Sequence, residues 1–282
     1  MKKVWITSDC TCDLSEELLE QYNLEVIYFY IKTDHGCFRD LDEMTSTNVV
    51  EYFQDGGQRI STTAPEVYEY VDFFERMLQK YDEIVHVAIS SELSLSYSNA
   101  VNASKKFNGR VKVFDSGHLS TGIAHLVLRA MEMANENKTG DQILAELDLM
   151  KNKVSTSFIA ENADYLHRTG RVSKFVKDFC FTFKIHPVLG MKDGKMKMKT
   201  VYIGEYEKCV IKYVRKELKK SSNIKKERLF ITYSTCPVKL LTRVKAQIEE
   251  CCSFKQIWET KASATITSNC GANTIGVLFV NE

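Results

Sequence analysis

The stretch EIVHVAISSELSLSYSNAV, Glu83 to Val101, reads as a strand that hands over to a helix across a loop crowded with hydroxyls. Its first half is apolar almost without a break, the pattern of a strand covered on both faces in a parallel sheet. The second half carries a helical segment from Ser94 to Phe107, and Ser90, Ser91, Ser94, Ser96 and Ser98 all fall at the join. Capping accounts for one serine. The rest need solvent or a ligand.

Similar runs lie on either side: VWIT (Val4–Thr7), EVIYFYI (Glu25–Ile31) and VKVFD (Val111–Asp115). Helical patterns fall between or after them, in SEELLEQY, TSTNVVEYF, PEVYEYVDFFERMLQKY and HLSTGIAHLVLRAMEMANEN, with Pro65 suited to a first helical turn. Strands alternating with helices give an α/β class. A further helix, DQILAELDLMKNKV, leads into STSFIAEN, where the expected boundary separates an N-terminal α/β domain (1–153) from a C-terminal one (154–282). The first has a mainly parallel sheet flanked by helices and the second a mixed sheet. In the second, Asp193-Gly194 signals a hairpin between HPVLGMK and KMKMKTVY. Helices from Glu205 to Lys220 and Val238 to Cys251 flank the strand LFITYS, and GVLFV comes last.

A chain of 282 residues with 44% hydrophobic and 27% charged residues is an ordinary globular composition. The opening MKKVWITSD has no apolar run of signal-peptide length and nothing later is long enough to span a bilayer, so a cytoplasmic protein without stable membrane insertion is expected. Nine cysteines in such a chain read as reduced, mostly buried thiols. No CxxC or HExxH spacing is present, and no metal or cofactor is expected. The net charge of +1 hides an asymmetry: residues 1–150 carry 25 acids against 13 bases, and the remainder 12 acids against 25 bases. The halves can attract each other, or the basic half can dock an acidic partner. Its bases are spread over helices such as KYVRKELKK, which reads as a solvated face and argues against nucleic acid.

Ligands of parallel α/β sheets sit beyond the carboxyl ends of the strands. Four polar clusters fall at such places: TSDCTCD (7–13), SSELS (90–94), DSGHLSTG (115–122) and ISTTAP (60–65). Each alone is a helix cap; together they suit an anion such as a carboxylate or phosphate. Catalytic patterns fail. No G-x-S-x-G elbow, Walker A loop or GxGxxG occurs. Asp40, Asp42 and Glu43 read as a solvated loop, and His118 and His125 as one packed helix face. A polar-headed pocket without visible chemistry points to a binding protein.

The motifs together resemble those of the DegV family of bacterial fatty-acid-binding proteins. ITSDCTCDL (6–14) is similar to that family's I-T-D-S-T-C-D-L opening, and TTAP (62–65) stands where T-S-Q-P is usual. ISSELSLSYSNA resembles I-S-S-x-L-S-G-T-Y-x-S-A, VFDSGHLSTG the D-S segment, and ADYLHRTGRVS the L-x-x-G-R-(I/V)-S segment. HPVLGMKDGKM resembles K-P-I-L followed by D-G-K, and NCGANTIG stands at H-x-G-P-G-x-x-G.

The resemblance implies a two-domain protein that is not itself an enzyme. It would hold one long-chain fatty acid and present the carboxyl to a separate ATP-dependent fatty acid kinase, the acyl phosphate feeding phospholipid synthesis. Carboxylate-binding hydroxyls map onto Thr62 and Ser94, with Thr63 and Ser96 as neighbouring donors; Ser91 is then the expected helix cap, and Ser98 lies on the helix. Arg171 is expected near the pocket mouth. Departures from the family pattern are Leu95 for the glycine of L-S-G-T, Gly271-Ala272-Asn273 for G-P-G, Gly204 for an arginine, and Asn269 for the histidine of H-x-G-P-G. They leave open a lipid carrier or sensor that serves no kinase, or an enzyme acting on another small carboxylate or phosphate.

Overall fold

The computed structural model describes residues 3–168, 173–220 and 223–282. β1 (Val4–Asp9) and β2 (Glu25–Ile27), joined by α1 (Glu16–Tyr22), run parallel. The chain then leaves that sheet for a small antiparallel one made of β3 (Tyr30–Thr33), β4 (Gly36–Arg39) and, after α2 (Ser46–Gln54), β5 (Ser61–Thr63). It returns through α3 (Val67–Leu78) to β6 (Glu83–Ala88), α4 (Ser96–Ser104), β7 (Val111–Asp115), α5 (Thr121–Asn135) and α6 (Gly140–Lys151). The parallel strands lie in the order β2-β1-β6-β7, so the winding reverses between β1 and β6. That reversal opens a crevice at the carboxyl ends of the two strands.

A mixed sheet follows. It contains β8 (Val154–Ile159) and, after α7 (Asp164–Arg168) and α8 (Lys174–Thr182), the hairpin β9 (Ile185–Lys192) and β10 (Lys195–Ile203). Next come α9 (Tyr206–Lys220), β11 (Ile224–Tyr233), α10 (Val238–Cys251), β12 (Gln256–Lys261), α11 (Ala264–Cys270) and β13 (Ile275–Asn281). The strand order is β10-β9-β8-β13-β11-β12, with only β11 and β12 parallel neighbours. The hairpin turns on Asp193 and Gly194, both at positive φ, as a tight two-residue turn requires.

Helix α5 explains how the sheets sit together. Ten of its 15 residues are buried, and its first eight, Thr121 to Leu128, are buried without a break; Arg129, Glu132 and Asn135 reach solvent only in its second half. A helix end buried on every side belongs in an interior. One continuous core runs from the parallel sheet (Ile6, Val85, Val87) through α5 to Phe158, Phe230 and Leu278 of the mixed sheet. Helices α3 and α4 cover the far face of the first sheet, and α9 and α10 that of the second. The charge asymmetry shows as ion pairs across the halves, Arg228 to Glu132 at 3.2 Å and Lys195 to Glu92 at 3.3 Å.

Several expectations are corrected. EVIYFYI is two strands, because the Phe29 amide donates to Cys10 Sγ at 3.3 Å and turns the chain out of the parallel sheet. Pro65 precedes the helix instead of entering its first turn; Glu66 is the N-cap, its amide donating to Glu69 at 2.8 Å. His118 lies before α5, held by Thr156 at 3.0 Å and the Lys151 carbonyl at 2.8 Å. Only Cys10, Cys12, Cys209 and Cys270 are buried among the nine cysteines. The largest difference is Asp40, which is fully buried instead of solvated.

Candidate functional site

At the crevice lies a cavity of about 370 Å³. The β5–α3 turn supplies Thr62, Thr63, Ala64 and Glu66, the loop from β6 into α4 supplies Ile89, Leu93, Ser94 and Leu95, and α4 itself supplies Asn99. Leu119 comes from the loop before α5, Met196 from β10 and Phe29 from the break after β2. Thr265, Ile266, Asn269 and Cys270 come from α11. A second, narrow cavity of about 30 Å³ shares Leu119, Ile266 and Cys270 with it and runs on between α11 and the mixed sheet. Hydroxyls and amides thus share the walls with Phe29, Ile89, Leu93, Leu119, Met196 and Ile266, the mix expected where an amphipathic ligand is held.

Thr62 reaches the cavity because β5 pairs with β3, placing Thr62 opposite Ile31. Ser94 sits two residues before α4, its Oγ accepting the Ser96 amide at 3.2 Å. Asn99 ties the two hydroxyl-bearing segments together, its side-chain amide donating to the Pro65 carbonyl at 2.8 Å. Asn269 donates to the Thr265 carbonyl at 2.8 Å within α11. Leu95 is exposed at the rim.

The remaining serines have other duties. Ser96 is fully buried and does not line the cavity; its Oγ donates to Asp9 at 2.6 Å and meets the Tyr70 hydroxyl at 2.8 Å. Ser91 does not cap α4, because its hydroxyl is bound to Asp115. Ser90 donates to the Gly194 carbonyl at 2.6 Å, and Ser98 to the Leu95 carbonyl at 2.8 Å. Arg171 lies outside the described residues.

Of the four polar clusters, ISTTAP and SSELS bring hydroxyls to the cavity, DSGHLSTG brings only Leu119, and TSDCTCD turns inward. Asp9 accepts from Tyr70 at 2.8 Å, the Ile89 amide at 2.8 Å and Ser96, with His86 Nε2 at 3.3 Å. Asp13 accepts from the Ser120 hydroxyl at 2.6 Å and the Ser263 amide at 2.9 Å. Asp40 accepts the Ala264 and Thr265 amides at 2.7 and 2.9 Å. These acids satisfy donors of the elements that build the site, so they organise it and do not themselves bind an anion. Burial pushes the Asp13 carboxyl up to about 7, against the opposing pull of its donors, and raises Asp40 also. Of the α11 wall the sequence marked only Asn269, through NCGANTIG; ATITSNC is rich in Thr and Ser and poor in strong helix formers, so the helix itself gave no signal.

Among the described residues, no helix is long and apolar enough to cross a membrane. A family model described as "Uncharacterised protein, DegV family" matches residues 3–282. The chain is 24% identical over 280 residues to a DegV domain-containing protein of Caldanaerobacter subterraneus subsp. tengcongensis, covering 99% of each. Its fold is that of a DegV family protein from Thermus thermophilus described for fatty acid binding, with TM-score 0.87, 23% identity and all of both chains covered. It also matches a Thermotoga maritima protein said to reveal fatty acid binding function, with TM-score 0.85, 22% identity, and 99% of this chain and 100% of that one covered. From residue 3 to residue 282, this chain belongs to the DegV family.

Proposed function

We propose that the protein binds one long-chain fatty acid in the larger cavity, with the carboxylate at Thr62 and Ser94 and the tail toward Leu119, Ile266 and the narrow extension. The single observation that carries this reading is the convergence of two hydroxyl-bearing loops on a cavity whose walls also carry Phe29, Ile89, Leu93, Leu119, Met196 and Ile266. Hydroxyl and amide donors can hold a carboxylate without a full counter-charge. Affinity comes from the tail, at about 0.8 kcal/mol per buried methylene, so a sixteen-carbon chain supplies on the order of 10 kcal/mol before ordering costs. The fatty acid binding described for the similarly folded Thermus and Thermotoga proteins supports the same ligand class.

In this reading the protein is the binding partner of a separate fatty acid kinase, to which it presents the carboxyl. A carrier that serves no kinase is favoured by one residue. Asn269 occupies the family's histidine position on the cavity wall, and an amide cannot carry the positive charge that would offset a forming acyl phosphate. The test of the ligand site is Thr62→Ala with Ser94→Ala, titrated calorimetrically with palmitate and oleate. Each hydrogen bond to a charged group contributes about 1.5–3 kcal/mol, so the double variant should bind weaker by a few kcal/mol. Unchanged affinity would refute the assignment.

A further inference from the structure

We propose that Asp40, assisted by Asp13, is a positioning residue: it fixes α11 as the inner wall of the cavity and so sets which acyl chain length fits. This rests on the fatty-acid reading of the cavity.

Helix α11 has seven residues, too few for its own backbone ladder to determine where it lies. Its location comes from what its leading amides bind. The Ser263 amide donates to Asp13, those of Ala264 and Thr265 to Asp40, and that of Ile266 to the Ser263 hydroxyl at 3.3 Å. Three of these four anchors are therefore side-chain carboxyl oxygens from distant loops, at 2.7–2.9 Å. Asp40 also reaches the opposite wall, since its own amide donates to the Phe29 carbonyl at 2.9 Å and Phe29 lines the cavity. One residue thus spans both walls.

The position of α11 decides how space is divided between the two cavities, because Ile266 and Cys270 line both. Burying a carboxylate is unfavourable unless its oxygens are used, and here both are. The neighbouring Asp42 and Glu43, about half exposed, show what this loop does with acids that have no such duty. Asparagine cannot replace the pair of acceptors, since its nitrogen would face an amide hydrogen.

The test compares wild type, Asp40→Asn, Asp40→Glu and Thr62→Ala as full chains, with dissociation constants measured for myristate, palmitate and stearate. A shift of the α11 wall by the room of one methylene should change the ratio between successive chain lengths about fourfold. Thr62→Ala should weaken all three equally and leave the ratios alone. Asp40→Glu keeps the charge and both oxygens, and it carries the test if the asparagine variant does not fold. Wild-type ratios in a folded Asp40 variant would overturn the inference. A wild-type protein that binds none of the three would instead overturn the fatty-acid reading itself.

Discussion

Asp13→Asn should make the protein more resistant to alkaline loss of stability. Asp13 is fully buried at the junction of three loops, and burial raises its carboxyl from 3.8 to about 7. A carboxyl whose pKa is higher in the folded than in the unfolded chain binds its proton more tightly when folded. Its contribution is therefore complete below pH 3.8 and is lost as the pH rises to about 7. At about 1.36 kcal/mol per unit, the full loss is about 4 kcal/mol, of which about 2.5 kcal/mol falls between pH 5 and 8. Asparagine is nearly isosteric and tolerates the left-handed backbone at this position, φ 54°. Its oxygen can keep the Ser263 amide, while the Ser120 hydroxyl rotates to accept from the new amide. Urea unfolding at pH 5, 6, 7 and 8 measures the difference between variant and wild type. The difference is needed because buried His125, pushed down to about 3, gives both proteins an opposite trend, gaining stability as the pH rises. The variant should gain about 2.5 kcal/mol relative to wild type across this range. A difference that stays flat with pH would refute the assignment of a raised carboxyl to Asp13.

Three further outcomes are expected. Asn269→His should leave fatty-acid affinity nearly unchanged but raise acyl-phosphate formation by a fatty acid kinase, since only interactions stronger in the charged product-like state speed the step; equal turnover by both proteins would remove this position from the chemistry. Leu126→Ala, in the middle of α5, should cost about 2–5 kcal/mol in chemical denaturation while both sheets still unfold in one transition; two separated transitions would show that α5 does not join them. Gly122→Ala normally favours a helix, but here the added Cβ would stand 2.3 Å from Thr156 Oγ1, itself bound to His118. It should destabilise by about 1–3 kcal/mol, and a stabilised variant would mean that β8 yields easily.

The parallel sheet was legible because EIVHVAIS and its neighbours are apolar without alternation, and the hairpin because Asp193-Gly194 suits only a tight turn. β5, the three-residue strand of the small sheet, and QIWETK at the edge of the mixed one are too short or too polar to announce themselves. The hydroxyl loops at Thr62 and Ser94 were visible as candidates because their clusters sit at helix entries. Asp40 was misread for a physical reason. Whether a loop carboxylate faces water or a helix amide 224 residues away depends on the tertiary fold, and local composition carries no trace of it. The same holds for Met196 and Ile266, which look like any core residue until the sheets are assembled.

The place of β13 bears on how the molecule is made. It lies in the middle of the mixed sheet, between β8 and β11, although it is the last strand along the chain. Until residues 275–281 emerge, that sheet exists as a set of three strands (β10-β9-β8) and a separate pair (β11-β12), each with an open inner edge and apolar residues awaiting a partner. Unpaired edges of this kind invite association with other chains. The first sheet has all its strands by Asp115, and α5 follows it directly. A growing chain can therefore hold α5 against the finished sheet as a platform while its other side waits. A nascent chain stalled while residues 275–281 are still inside the ribosome should consequently display a folded N-terminal half tethered to a sticky, protease-sensitive remainder, and emergence of that segment should convert it to a resistant whole.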